Sequence, residues 1–213
     1  MVRAMIIQCD FDGTVTRNNL SVLLRENFAS ADWQKIENDY LRGSLTVEQS
    51  NKLQYRLIKE SKDKLQEFVR EHIELRPGFL EFVGYCRETA IPFVIVSSGL
   101  DFYIETVLAQ IGMPDLELYC GQTSFSKDGI SVSYFNPEGD IINEGFKEKH
   151  LTWLKKRDKD IIYIGDGLSD LEAARHADHV FATGYLPGLL SAEPVVYSGF
   201  SNFNDILHQV CLL

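Results

Sequence analysis

The 213-residue chain is poor in several residue classes, and each scarcity removes an explanation. Basic residues are few, with 21 Lys and Arg against 31 Asp and Glu and a formal charge of −10. That balance argues against nucleic acid or an anionic membrane surface as a partner. Cysteine is sparse: Cys9, Cys86, Cys120 and Cys211 are scattered and mostly apolar in context. They read as small core residues, not as a zinc set or a disulfide framework. The histidines (His72, His150, His176, His179, His208) show no metal-ligand spacing either. No apolar run approaches the roughly 20 residues of a membrane span, and Met1 to Cys9 is too short for the hydrophobic part of an export signal. The end Cys211-Leu212-Leu213 is one residue short of a prenylation box. The cytoplasm is the expected compartment. Internal repeats and low-complexity tracts are missing too.

What is present suffices for an enzyme. The length allows a full α/β core with one small accessory domain. The most informative stretch is Asp10-Phe11-Asp12-Gly13-Thr14-Val15-Thr16, which follows an apolar run over residues 4–9. That run is short and ends near a Gly, so it predicts a buried strand feeding a tight loop. In open α/β sheets chemistry collects beyond the carboxyl ends of strands. Two acids side by side are costly to desolvate unless a cation or a shared proton compensates, so the pair asks for a metal. A calcium hand is rejected, because its fifth and sixth loop positions hold Thr14 and Val15. An ordinary acidic turn is the plainer alternative for this motif standing alone.

A second stretch repeats the design. In Asp160-Ile161-Ile162-Tyr163-Ile164-Gly165-Asp166-Gly167-Leu168-Ser169-Asp170 a β-branched strand leads to a glycine-flanked acid and then to a helix opening at Asp170. Asp166 and Asp170, about one helical turn apart, can face the same ion. A dinucleotide fingerprint is disfavoured, since acids occupy the positions that would meet a pyrophosphate. Oxygen ligands with room for water and a phosphate oxygen suit Mg²⁺. A third buried run, Ile91-Pro92-Phe93-Val94-Ile95-Val96, ends in Ser97-Ser98-Gly99, whose hydroxyls and permissive Gly can offer donors to phosphate oxygens. On its own this segment reads more simply as the cap of a helix from Leu100. A lysine-rich helix between Asn143 and Leu154 supplies a cation near its start. Lys147, beside Phe146, is preferred over Lys149 for reaching the acids.

Taken in order, strand-DxDGT, strand-Ser, Lys and strand-GDxxxD resemble the four motifs of the haloacid dehalogenase superfamily of phosphatases, over the whole chain. The resemblance implies that Asp10 is the nucleophile and that Asp12 protonates the leaving alcohol and later activates water. It implies phosphate binding by Ser97 and Lys147, with Ser98 and Gly99 beside them. It also implies Mg²⁺ on Asp166, Asp10 and the Asp12 backbone carbonyl, with Asp170 as a supporting acid. The chemistry is consistent: phosphoryl transfer spreads negative charge over equatorial oxygens, and a carboxylate nucleophile splits hydrolysis into two easier steps.

Periodicity divides the chain. After Thr16 the strand pattern stops and about four helical stripes follow: Leu20, Leu23, Leu24 and Phe28; Trp33, Ile36 and Tyr40; Leu53, Leu57 and Ile58; and Leu65, Phe68, Val69, His72 and Ile73. Thr46-Val47-Glu48-Gln49 is a capping box for the third. Residues 17–75 are therefore expected to form an all-α cap, or lid. Residues 1–16 and 76–213 would be the catalytic core, with Arg76-Pro77-Gly78 as the return hinge. Beyond it come a helix over 79–88, strand 91–97, helix 102–111, strand 117–120, a β-hairpin over 122–135, a helix from 147, strand 161–165, helix 171–176 and strand 180–182. A last strand near 195–197 precedes a helix carrying Phe203, Ile206, Leu207 and Val210. The expectation is an α/β fold: a Rossmann-like, doubly wound, mostly parallel sheet with an inserted helical cap and a small hairpin.

A lid inserted after the first motif favours a small phosphorylated metabolite. Lid position, hairpin and Ser-Ser-Gly are similar to the phosphoserine phosphatase branch. The Glu and Arg with which that branch grips phosphoserine are replaced here by Asn19 and Gln54, although Arg56 is close by. The chain is more similar to the methionine-salvage phosphatases acting on 2-hydroxy-3-keto-5-methylthiopentenyl 1-phosphate. The shared features are Asp32-Trp33, Ile91-Pro92-Phe93, Ser97-Ser98-Gly99-Leu100-Asp101-Phe102 and the segment from Ala182 to Leu186. It departs from them at Asn143-Glu144-Gly145-Phe146, where they carry a cysteine cluster. A neutral polar grip from Asn18, Asn19 and Gln54 is the expected substrate contact. Phosphoserine hydrolysis, phosphoryl transfer to a small alcohol and a non-catalytic binding module are the alternatives.

Overall fold

Short apolar runs bounded by Gly or Pro become the strands at the centre of the molecule. The computed structural model describes residues 5–30, 32–157 and 160–212. Ala4 of the expected first strand and Leu213 lie outside the described residues. The strands are β1 (Met5–Cys9), β2 (Phe93–Leu100), β3 (Glu117–Ser126), β4 (Gly129–Phe135), β5 (Ile141–Ile142), β6 (Asp160–Gly165), β7 (His179–Ala182) and β8 (Ser198–Gly199). They form one sheet in the order β5-β4-β3-β2-β1-β6-β7-β8. All pairings are parallel except β3 with β4 and β4 with β5.

The central strand β1 lies between β2 and β6, with Cys9 opposite both Ile95 and Ile164. This register brings three carboxyl ends level where the winding reverses direction, the place where such sheets leave a crevice. Every residue of β2 is buried, as is each residue of β6 after the first. Burial on both faces explains why these runs show no alternation. The flanking helices after the insertion are paired: Phe79 and Phe82 of one (Phe79–Glu88) meet Phe203 of the closing helix (Phe203–Val210) with ring centroids 5.1 and 5.5 Å apart.

Between β1 and Phe79 the chain forms α1 (Leu20–Phe28), α2 (Trp33–Leu41), α3 (Val47–Tyr55) and α4 (Lys62–His72). The outgoing and returning passages run side by side: Thr16 bridges Leu75, the Arg17 N–H donates to the Glu74 carbonyl at 2.7 Å, and the Arg76 N–H donates to the Val15 carbonyl at 2.8 Å. The helices that follow are α5 (Phe79–Glu88), α6 (Asp101–Gln110), α7 (Phe146–Lys155), α8 (Leu171–His176), α9 (Leu186–Leu190) and α10 (Phe203–Val210). No described helix is long and apolar enough to cross a membrane.

The structure corrects several sequence expectations. The apolar stripe expected on α3 does not form: the helix ends at Tyr55, Leu53 is exposed, and Ile58 lies beyond it in a bridge with Ala29. The capping box does form, with Thr46 Oγ1 accepting from the Gln49 N–H and Gln49 Oε1 from the Thr46 N–H. That start turns Glu48, Asn51 and Tyr55 inward at helical spacing. The polar pair finds core partners: Glu48 Oε1 accepts from the Phe146 N–H at 2.9 Å, and Asn51 Nδ2 donates to the Ser98 carbonyl and to the Tyr134 hydroxyl at 2.8 Å each. His72 is exposed, its ring stacked on Phe68 at 4.0 Å. The strand expected over 117–120 runs on to Ser126, because β3 pairs first with β2 and then with the hairpin partner β4. The final strand is Ser198–Gly199, not 195–197, because only those residues reach Phe181 and Ala182 of β7; Val196 is left exposed.

Candidate active site

Asp10 is the first residue past β1, and its N–H donates to the Ile164 carbonyl at 2.9 Å, tying it to β6. The chain then turns tightly, with the Phe11 carbonyl accepting from the N–H groups of Thr14, Val15 and Thr16. Gly13 permits the turn: its φ is +74°, and a Cβ there would collide with the Asp166 carboxylate. Arg76, on the returning passage, clamps the loop from outside by donating to the Gly13 and Thr14 carbonyls and to Ser201.

Lys147 stands in the first turn of α7, and its carbonyl is held by Gln8 Nε2 at 3.0 Å. Its ammonium lies 2.8 Å from Asp10 Oδ1, 2.6 Å from Asp170 Oδ1 and 3.0 Å from Ser169 Oγ. Burial would lower the pKa of this amine, but Asp10 and Asp170 outweigh burial and hold it above its usual value. Asp170 is fully buried and saturated. Besides Lys147, its oxygens accept from the Tyr163 hydroxyl at 2.5 Å and from the N–H groups of Asp166 and Gly167 at 2.9 and 2.8 Å. It fixes the loop after β6 and keeps no free lone-pair direction for another partner.

Asp166 differs. No described residue donates to its carboxylate, which lines the crevice beside Gly13. Burial, then Asp170 and Asp10, push its carboxyl up to about 9. Burial likewise raises Asp10 to about 6, opposed by Lys147. Single ligand atoms of Asp10, Asp166 and Asp170 lie within 4.8 Å of one another. An all-oxygen set containing one undonated carboxylate, in a cradle a Cβ would fill, is chemically suited to a hard divalent cation. Asp10 and Asp166 are its available side-chain ligands.

Asp12 faces the same space, but its oxygens are engaged: Oδ1 accepts from the Leu20 N–H at 2.8 Å and Oδ2 from the Tyr103 hydroxyl. Burial raises its pKa, and these bonds partly oppose the rise. Its side chain is thus set up for proton exchange. Ser97 Oγ accepts from the Gly99 N–H at 3.1 Å, leaving its proton to donate. Ser98 Oγ is buried with no partner among the described residues. Gly99 fits closely here, since a Cβ would press on the Tyr103 hydroxyl, Ile104 and Asp12.

Asp10, Asp12, Ser97, Ser98, Lys147 and Asp166 line a cavity of about 920 Å³, to which α1, α2 and α3 add residues of their own. Asn19 lines it, although its Oδ1 also caps α1 by accepting from the Val22 N–H. Asn18 and Gln54 do not reach it. Asn18 straps the two passages together through the His72 carbonyl and the Glu74 N–H, while Gln54 is wholly buried and donates to Glu37 Oε2 at 2.8 Å. Besides Arg17, the insertion sets a charged pair on the cavity wall, Arg25 and Glu37. Sequence reasoning missed this pair and the tyrosines Tyr103 and Tyr163. Arg25 did leave a signal, a charge on the inward stripe of α1 one turn after Ser21. The tyrosines left none.

Comparison with known proteins places this geometry in context. A family model described as haloacid dehalogenase-like hydrolase matches residues 7–175. The 2-hydroxy-3-keto-5-methylthiopentenyl-1-phosphate phosphatase of Bacillus pumilus (strain SAFR-032) is 31% identical over 96% of this chain and 90% of its own length. That of Brevibacillus brevis is 30% identical over 97% and 95%. Among solved structures, a phospho-aspartyl intermediate analogue of phosphoserine phosphatase superposes with a TM-score of 0.71 at 18% identity, covering 97% of this chain and 99% of that one. A substrate-bound phosphoserine phosphatase gives 0.70 at 19%, covering 98% and 99%. These structures share the fold.

Proposed function

The chain belongs to the haloacid dehalogenase-like hydrolases, and from that premise we propose how this phosphoric monoester hydrolase works and on what. The reading is a Mg²⁺-dependent phosphatase that passes through a phosphoryl ester on Asp10. Its best substrate candidate is 2-hydroxy-3-keto-5-methylthiopentenyl 1-phosphate, the compound in the names of the Bacillus and Brevibacillus relatives. The observation that carries it is the position of Asp10, salt-bridged through Oδ1 to Lys147 in the same cavity as the undonated Asp166 carboxylate.

Asp10 and Asp166, with the Asp12 carbonyl, would hold the ion. Bound there, Mg²⁺ supplies Lewis-acid neutralisation of phosphate charge. Lys147 keeps Asp10 ionised and faces the transferring phosphoryl oxygens, which Ser97 receives with its free hydroxyl proton. An Asp10 oxygen forms a bond to phosphorus as the bond to the alcohol oxygen breaks, and Asp12 gives that oxygen its proton. Asp12, now a carboxylate, takes a proton from water as the water attacks phosphorus, and Asp10 is released. Burial favours the protonated acid at the start of this cycle, while the Leu20 N–H and the Tyr103 hydroxyl stabilise the carboxylate needed in its second half.

The test is phosphate release from p-nitrophenyl phosphate and from a panel of phosphorylated metabolites, with and without Mg²⁺. The expected result is Mg²⁺-dependent turnover, highest on the methylthiopentenyl ester, and none with Asp10→Asn. Parental activity in Asp10→Asn overturns the mechanism. Phosphorylated product on adding small alcohols would replace hydrolysis by transfer.

A further inference from the structure

Arg25 is a buried charge without enough partners. The residue is 4% exposed, yet its Nε has no acceptor among the described residues. One Nη donates to Ser21 Oγ at 2.8 Å and more weakly to Asn51 Oδ1 at 3.5 Å; the other lies 3.7 Å from Glu37 Oε2, an open ion pair. A guanidinium has five N–H donors in a rigid fork, and here most lack a good acceptor. Leaving a buried cation so thinly satisfied is unfavourable unless something else supplies oxygen.

The surroundings say where that oxygen would come from. Arg25 and Glu37 both line the cavity that contains Asp10 and Asp12. Arg25 is near enough to Asp12 to stabilise its carboxylate. The Trp33 ring lies 5.4 Å below the guanidinium, and Gln54 anchors Glu37, so the pair is held in place. Ser50 and Asn51 extend the polar wall, while Val22, Leu41 and Val47 offer apolar surface beside it.

We infer that Arg25 is a specificity-determining residue. It receives a planar oxygen acceptor, carbonyl or carboxylate, on the carbon skeleton of the phosphate ester, and Glu37 accepts from a neighbouring hydroxyl or ammonium. This rests on the phosphatase reading above and assigns it a substrate class: esters carrying a second oxygen function away from phosphorus. A vicinal hydroxy-ketone fits the pair, as does an amino acid. The chemistry common to both is the acceptor that Arg25 takes.

The experiment compares kcat/KM for the methylthiopentenyl hydroxy-ketone phosphate, phosphoserine and p-nitrophenyl phosphate in the parent, Arg25→Met and Arg25→Lys. A site built to hydrogen-bond an oxygen function rejects a ligand that lacks it by large factors. The selectivity of the parent for its better oxygenated ester over p-nitrophenyl phosphate is therefore expected to fall about 100-fold in Arg25→Met. Arg25→Lys keeps the charge but not the fork, and should retain part of that selectivity. Whichever oxygenated ester carries the Arg25 dependence identifies the acceptor as carbonyl or carboxylate. Equal losses on all three substrates, no loss, or a parent with no preference for oxygenated esters overturns the assignment. Melting curves of both variants separate unfolding from lost recognition. Absence of any Mg²⁺-dependent turnover in the parent strikes the phosphatase reading itself, a distinguishable result.

Discussion

Replacing Asp170 by Asn keeps the shape of the side chain and removes its charge, at the most heavily bonded carboxylate of the site. Its two oxygens take donors from Lys147, from the Tyr163 hydroxyl and from the N–H groups of Asp166 and Gly167. An amide has one acceptor oxygen and one NH₂ group, so either orientation sets a donor against donors. Lys147 is left with a single counter-charge, Asp10 at 2.8 Å. Removing one partner of a buried ion pair costs about 3–5 kcal/mol; the surviving Asp10 pair puts the expected loss near the lower end, about 3 kcal/mol. A domain of this size shifts by about 2–4 °C per kcal/mol, which predicts a melting temperature lower by about 6–12 °C in chelator at neutral pH. Turnover should fall with it, because Lys147 and the loop after β6 lose their common anchor. Urea denaturation gives the free energy directly. Adding Lys147→Met completes a double-mutant cycle, in which the two changes together should cost less than their sum. A loss within about 1 kcal/mol, or strict additivity, would refute the claim that Asp170 is the electrostatic keystone of the site.

Proton linkage gives a second test. The folded chain raises Asp10 to about 6 and Asp166 to about 9, so it retains protons that the unfolded chain has lost above about pH 4. Stability in chelator should then decline as pH climbs through about 6 and on towards 9, with Mg²⁺ restoring most at the alkaline end. Melting temperatures that rise over this interval in chelator would contradict the assignment. Gly99→Ala should cost about 1–3 kcal/mol by overpacking and lower kcat, since its methyl group meets Ile104 at 2.9 Å and Asp12 at 3.0 Å; a variant of parental stability and rate would argue against that crowding. Tyr103→Phe strips Asp12 Oδ2 of its donor and should destabilise by about 1–3 kcal/mol, measurable by urea denaturation.

Much of this protein was legible from residue order, because its chemistry sits at the ends of unusually plain strands. Runs such as residues 93–96 are buried on both faces and can be little else, and the acids Asp10 and Asp166 stand where such strands end. The extension of β2 through Ser97-Ser98-Gly99 to Leu100, a stretch that reads locally as a helix cap, comes from pairing of Leu100 with Gly121 of β3. The start of α3 followed from its capping box, since Thr46 and Gln49 interact locally. Burial was less legible. On α3 the inward face is polar, because Glu48 and Asn51 find partners on residues 146, 98 and 134, far away in the chain. Hydrophobic spacing has no access to such partners, so it put Leu53 on the inward face, where the fold leaves it exposed. The same limit explains the cavity wall. Asn18 and Gln54 are as polar as any ligand-binding residue, but hydrogen bonds to residues 72, 74 and 37 draw them away from the cavity. Arg25, Tyr103 and Tyr163 gain their roles solely from what folding sets beside them. Local order fixed which groups can react. Long-range packing selected which of them face the cavity, because burial makes every polar group seek a partner and those partners lie distant in sequence.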